Sequence, residues 1–119
     1  MACKFELQRT KDSRYVFVLI GEDGVELLRG LPHYSKMHAR RDAELVSGCI
    51  NDPSKVFRLA SHNELYFTLH NAKDEMFARS LHVHSQLALD EIIDETREAS
   101  SKAVILDATE RHVKRATAH

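Results

Sequence analysis

The chain is short of cysteine, of net charge and of long apolar runs, and each shortage closes off a class of explanation. Its two cysteines, Cys3 and Cys49, form no C-x-x-C pair, and two thiols make no disulfide framework. A reducing cytoplasm is therefore the expected location. Seventeen Lys and Arg against eighteen Asp and Glu leave a net charge of −1, whereas non-specific nucleic-acid binding draws on a basic excess. No apolar run approaches the ~20 residues of a membrane span. Met1-Ala2-Cys3-Lys4-Phe5-Glu6 holds no apolar signal core. The G-x-S-x-G elbow, the phosphate loop and the H-E-x-x-H pair are also missing. No catalytic residue, metal site or cofactor is assigned, and the chain is not expected to be an enzyme.

What is present is a globular composition and a repeat. A chain of 119 residues buries about 65% of its unfolded surface, enough for one core without staples. Phe17, Leu19, Arg29, Leu31 and Ser35 recur fifty positions later as Phe67, Leu69, Arg79, Leu81 and Ser85. Phe5-Glu6-Leu7 has an expected counterpart in Phe57-Arg58-Leu59. A duplicated unit predicts two copies related by a rough two-fold and sharing one interior.

Hydrophobic periodicity fills in the elements. Strands are expected at 5–9, 15–20 and 25–31, with Asp23-Gly24 as hairpin chemistry. The spacing of Ala39, Ala43, Val46 and Ile50 predicts a helix over 36–49, with the Ser35 hydroxyl as its N-cap and Asn51-Asp52-Pro53 as its stop. The order then repeats, with strands at 55–60, 64–70 and 74–80. A helix over 86–99 follows, capped by Ser85 and facing inward through Leu89, Ile92, Ile93 and Thr96. A last strand covers 103–106, and the polar tail from Glu110 to His119 is expected to fray.

Phe5-Glu6, Tyr15, Phe17, Leu19, Gly24, Ser35-Lys36, Ala39 and Val46 match a repeat pattern of the form F-E-x…Y-x-F-x-L…G…S-K-x-x-A. Over residues 4–109 the chain resembles the YegP-like family of small bacterial tandem-repeat proteins. The resemblance implies an α+β fold: two tandem β-β-β-α-β repeats forming a pseudo-two-fold antiparallel sheet, with exchanged C-terminal strands and two packed helices. One domain over 1–109 is expected, with repeats at about 4–54 and 55–109 and a flexible tail over 110–119. The family has no established biochemical activity.

Several features bear on function. His82 and His84, an i, i+2 pair in an extended segment, and His33 in the first copy are either a metal pair or solvated loop residues. Cys49 sits near a helix C-terminus, where the dipole disfavours a thiolate. Lys36, Arg40 and Arg41 give helix 1 a basic start, while Asp90, Glu91, Asp94, Glu95 and Glu98 make helix 2 acidic. Opposite Tyr15, Phe17 and Leu19 lie Val16, Val18 and Ile20, so this strand is apolar on both sides. Two accounts stay open: a patch that meets a second molecule, or β-branched residues shielded by their neighbours.

These features lead to a non-enzymatic binding or protein-interaction module, self-associating as a homodimer through Val16, Val18 and Ile20. The alternative is weak nucleic-acid binding through Lys36, Arg40 and Arg41 with the tail residues Arg111, Lys114 and Arg115. The near-neutral charge disfavours it, and no membrane partner is expected.

Overall fold

The computed structural model describes residues 2–109, so the tail over 110–119 and its Arg111, Lys114 and Arg115 lie outside the described residues. The chain runs β1 (Lys4–Arg9), β2 (Tyr15–Ile20), β3 (Glu26–Gly30) and α1 (Lys36–Ile50). A short 3-10 helix, Pro53–Lys55, leads into β4 (Val56–Ser61), β5 (Glu64–His70), β6 (Met76–Ser80), α2 (Gln86–Lys102) and β7 (Val104–Asp107). All seven strands join one sheet in the order β4-β5-β6-β3-β2-β1-β7.

The sheet is not wholly antiparallel, as the resemblance implied. β7 pairs with β1 in parallel, while the other neighbours are antiparallel. A parallel pair cannot be joined by a tight turn, and here residues 10–103 separate the two strands.

Both helices pack on one face. Ala39, Ala43, Val46 and Ile50 of α1 are the residues it buries, as their spacing predicts. α2 buries Leu89, Ile92, Ile93 and Thr96, and it continues to Lys102 because Ala99 and Ser100 extend the same buried stripe. These side chains share one cluster with Phe5, Leu7, Phe17, Leu19, Phe67 and Leu69 from the sheet. The two helix starts differ. The Ser85 hydroxyl accepts from the Ala88 amide at 3.0 Å, but the Ser35 side chain makes no capping bond. The cap expected of Ser35 is thus a backbone one only, its carbonyl accepting from Ala39 at 3.3 Å.

Two register shifts sharpen the sheet. Between Leu19 and Ile20, and between Leu69 and His70, the ladder slips. The extra residue lets neighbours Leu27 and Leu28, and likewise Phe77 and Ala78, all join the core. Arg29 and Arg79 follow on the opposite face.

The expected match of Phe5-Glu6-Leu7 with Phe57-Arg58-Leu59 is wrong by one residue. Phe5 pairs with Leu19 and Leu7 with Phe17, whereas Val56 pairs with Leu69 and Arg58 with Phe67. The spatial counterpart of Phe5-Glu6-Leu7 is therefore Val56-Phe57-Arg58. Turn length is the cause. Thr10 and Arg14 close a loop with Ser13 at φ 65°. Ser61 and Glu64 close a shorter one, in which His62 and Asn63 have φ of 51° and 68°. Positive angles at both central residues are those of a tight two-residue hairpin. One residue fewer moves the whole strand, and in a strand a one-residue slip exchanges faces. Arg58 thus occupies the place of Leu7 and reaches out to Asp90 of α2 at 2.7 Å. Phe57 and Leu59 turn to the other face, where they are 44% and 40% exposed.

Candidate functional site

Among the described residues, the sheet face without helices is covered only by side chains of the sheet itself. One row crosses it completely: Leu106, Glu6, Val18, Arg29, Arg79, Thr68 and Phe57, each directly paired with the next. Val16 and Val18 lie on this face but are each 1% exposed, and Ile20 is only partly exposed. The open apolar patch expected there does not exist. Gln8 stands opposite Val16, and Glu6 and Arg29 flank Val18. The long stems of these polar residues close over the valines. Glu6 is itself fixed by Gln8 at 2.9 Å and Lys4 at 3.3 Å.

The centre of the row holds two arginines directly opposite one another. Like charges in that arrangement repel. Arg29 is neutralised by a two-point contact with Glu26, at 3.0 and 2.9 Å. That contact favours the charged guanidinium and raises its pKa. The residue three before Arg79 is Met76, and among the described residues no carboxylate meets Arg79. A hollow of about 370 Å³ opens beside the pair, lined by Val16, Leu31, Leu81, Arg29, Arg79 and Glu26 among others. Tyr66, fifty positions on from Val16, lies flat on His82 with ring centres 4.6 Å apart. Further along, Phe57 leans on His70 at 4.1 Å.

The histidines find acidic partners that their local sequence does not show. His33 meets Asp42 of α1 at 2.6 Å. His82 and His84 lie 3.1 and 3.9 Å from Glu64. Among the described residues, no three His, Cys, Asp or Glu side chains are grouped to hold a metal ion.

The basic start of α1 is largely compensated. Lys36 reaches Asp107 of β7 at 2.8 Å, and Arg40 lies 3.9 Å from Glu44. Arg41 is exposed. Lys36, with help from Thr109, lowers the Asp107 carboxyl to about 2. The contact ties β7 to the helix it follows by most of the chain.

Two further hollows sit under the β2–β3 and β5–β6 turns. The first, about 310 Å³, brings Gly21, Glu22 and Asp23 against Glu95, Glu98 and Lys102 of α2. Burial pushes the Glu95 carboxyl up, and Asp23, Glu22, Glu91 and Glu98 push it further. The second, about 430 Å³, sets Asn71, Ala72 and Lys73 against Leu45, Gly48 and Cys49 of α1. Burial there raises the Cys49 thiol, with Asp52 adding to the effect. A raised thiol has less thiolate and reacts slowly. Among the described residues, no helix is long and apolar enough to cross a membrane.

No protein-family model matches the chain, and no curated protein sequence does. Solved structures do. The solution NMR structure of UPF0339 protein SO3888 from Shewanella oneidensis superposes with a TM-score of 0.86 at 24% identity, covering 94% of this chain and 96% of that one. The solution NMR structure of yegP from E. coli, a protein of unknown function, gives 0.84 at 22%, covering 92% and 95%. This chain has their fold. The resemblance to YegP-like proteins drawn from Phe5-Glu6, Tyr15, Phe17, Leu19 and Ser35-Lys36 thus holds for the architecture: an α+β domain with a seven-stranded sheet and two helices. Both relatives are proteins of unknown function, so the shared fold brings no activity with it.

Sequence reading missed the site's central feature. Arg29 and Arg79 were visible as a repeated residue, but not as direct neighbours. β3 and β6 meet antiparallel with Arg29 opposite Arg79, a long-range pairing that no local pattern announces.

Proposed function

We propose that the chain is a non-enzymatic interaction module that self-associates edge to edge through β4, in a bacterial cytoplasm. Its halves are read as a duplicated unit with an approximate two-fold passing between Arg29 and Arg79. In this reading β7 is a C-terminal strand handed from the second unit to the first.

The observation that carries the proposal is the difference between the two ends of the sheet. One end is β7, only four residues long and paired with β1, while β4 forms the other with six residues and no strand beyond it among the described residues. β4 pairs with β5 along all six residues without a slip, so its free side offers a regular ladder of backbone groups. Natural edges are usually blunted by proline, bulges or free charge. β4 contains neither proline nor bulge, and its arginine is engaged by Asp90. Phe57 and Leu59 add exposed apolar surface beside that ladder. The occupant is a second copy, β4 against β4 in antiparallel pairing, which closes as an isologous dimer.

Light scattering across concentration tests this. A mass rising toward twice that of one chain is expected, and the double variant Phe57→Lys, Leu59→Lys shifts the association at least about ten-fold toward monomer, since facing like charges repel. A monomer at millimolar concentration, or association untouched by the double variant, overturns the proposal.

A further inference from the structure

We propose that the hollow beside Arg79 binds a small organic carboxylate carrying a short apolar body. The inference does not depend on pairing through β4, because Phe57 and Leu59 are not part of the hollow.

The argument begins with an asymmetry. Both halves have an arginine at the centre of the row, but only the first has a carboxylate three residues earlier, Glu26, where the second has Met76. The backbone is alike at both places. Glu26 pairs with Ile20 and Met76 with His70, each just after the same register slip. Glu26 therefore takes both ends of the Arg29 fork, and the fork of Arg79 has no acid to receive it among the described residues. Arg79 faces Arg29 directly, so an incoming anion relieves a repulsion as well as satisfying a donor.

The hollow sets the rest of the ligand. A volume of about 370 Å³ lies within the ordinary range of small-molecule sites, roughly 300–1,000 Å³. Beside the arginines, Leu31, Pro32 and Leu81 supply most of its apolar lining, and Thr10, Ser80 and His82 its other polar groups. In the second half, Tyr66 stacked on His82 holds the place of Val16, so the space is open on one side of the pair. A guanidinium receives a planar carboxylate through two parallel hydrogen bonds. The net charge offered is one: Arg29 and Glu26 cancel, leaving Arg79. A monoanion matches that charge, whereas a phosphate group, near −2 at neutral pH, leaves one charge unmatched beside Glu26.

The test is an NMR titration of the full chain with benzoate, read at the Arg79 side chain and at the amides of Gly30, Leu31 and Leu81. Saturable shifts in the millimolar range are expected, with none from the neutral analogue benzyl alcohol. Met76→Glu gives Arg79 the partner Arg29 already has. It should weaken benzoate binding about ten-fold or more while the spectrum stays that of a folded chain. Met76→Gln, equal in size and uncharged, should leave binding in place. Arg79→Met should remove it. The proposal is overturned by shifts that never saturate, by equal binding in Met76→Glu and Met76→Gln, or by inorganic phosphate binding as tightly as benzoate.

Discussion

β1 and β4 open with nearly the same letters and do different work. Leu7 is wholly buried beneath the helices. Its spatial counterpart Arg58 is half exposed and bridges to Asp90. One residue removed from a turn separates them. The second half thus differs from the first in register, and its spare apolar residues Phe57 and Leu59 face outward. The same contrast recurs at Gly30 and Ser80. A side chain at Gly30 would start 2.3 Å from the Phe17 ring, which is fully buried and set edge-on to Phe5 with ring centres 5.9 Å apart. Ser80 keeps its side chain and uses it, accepting from the Phe67 amide at 2.9 Å and donating to the Leu81 carbonyl at 2.9 Å.

Substitutions that force one half to behave like the other test this. The largest effect is expected at the strand positions. Leu7→Ala should cost about 2–5 kcal/mol, and Arg58→Ala no more than about 1 kcal/mol. Urea midpoints at unchanged slope would measure both. Equal losses would mean that Arg58 carries core packing after all. Next comes the close contact. Gly30→Ser should cost about 3 kcal/mol through overpacking. Ser80→Gly should cost about 1–2 kcal/mol, because the Phe67 amide loses its acceptor.

The smallest effects are electrostatic. Glu95 is held above its ordinary pKa, so its ionisation opposes folding. That penalty is present at neutral pH and vanishes once the group is protonated in both states. Glu95→Gln should stabilise the fold slightly at pH 7, by no more than about 0.5 kcal/mol for so exposed a group, read as a small rise in melting temperature, and not at all in acid. Asp107 has the opposite sign. Its folded pKa is lowered to about 2, so its contribution is full above the unfolded value of about 4 and is lost as pH falls toward 2. Asp107→Asn should therefore destabilise at pH 7 and match the parent chain near pH 2.

The elements that sequence conveyed well were those decided by their own periodicity. Ala39, Ala43, Val46 and Ile50 could point inward only as a helix, and β2 and β5 fall at their expected bounds. What stayed hidden depended on counting across a turn or between distant strands. Matching letters in Phe57-Arg58-Leu59 suggested a core strand, because nothing local reports which neighbour Phe57 will face. Val16 and Val18 looked exposed for a related reason: the side chains that cover them come from β1 and β3. Glu64 stands eighteen residues before His82, beyond the reach of any local motif. Of the candidate site, the two arginines were legible as repeats, but their meeting required the β3–β6 register.

The sheet also has an order of completion. Ribosomes deliver the chain from its first residue onward, yet β1 receives its outer neighbour only when Val104–Asp107 arrive. Until then β1 lacks the neighbour that covers its outer side. The Lys36–Asp107 clasp, 71 positions apart, can close only at that moment. A chain lacking Val104–Asp107 would end its sheet at β1 instead of β7.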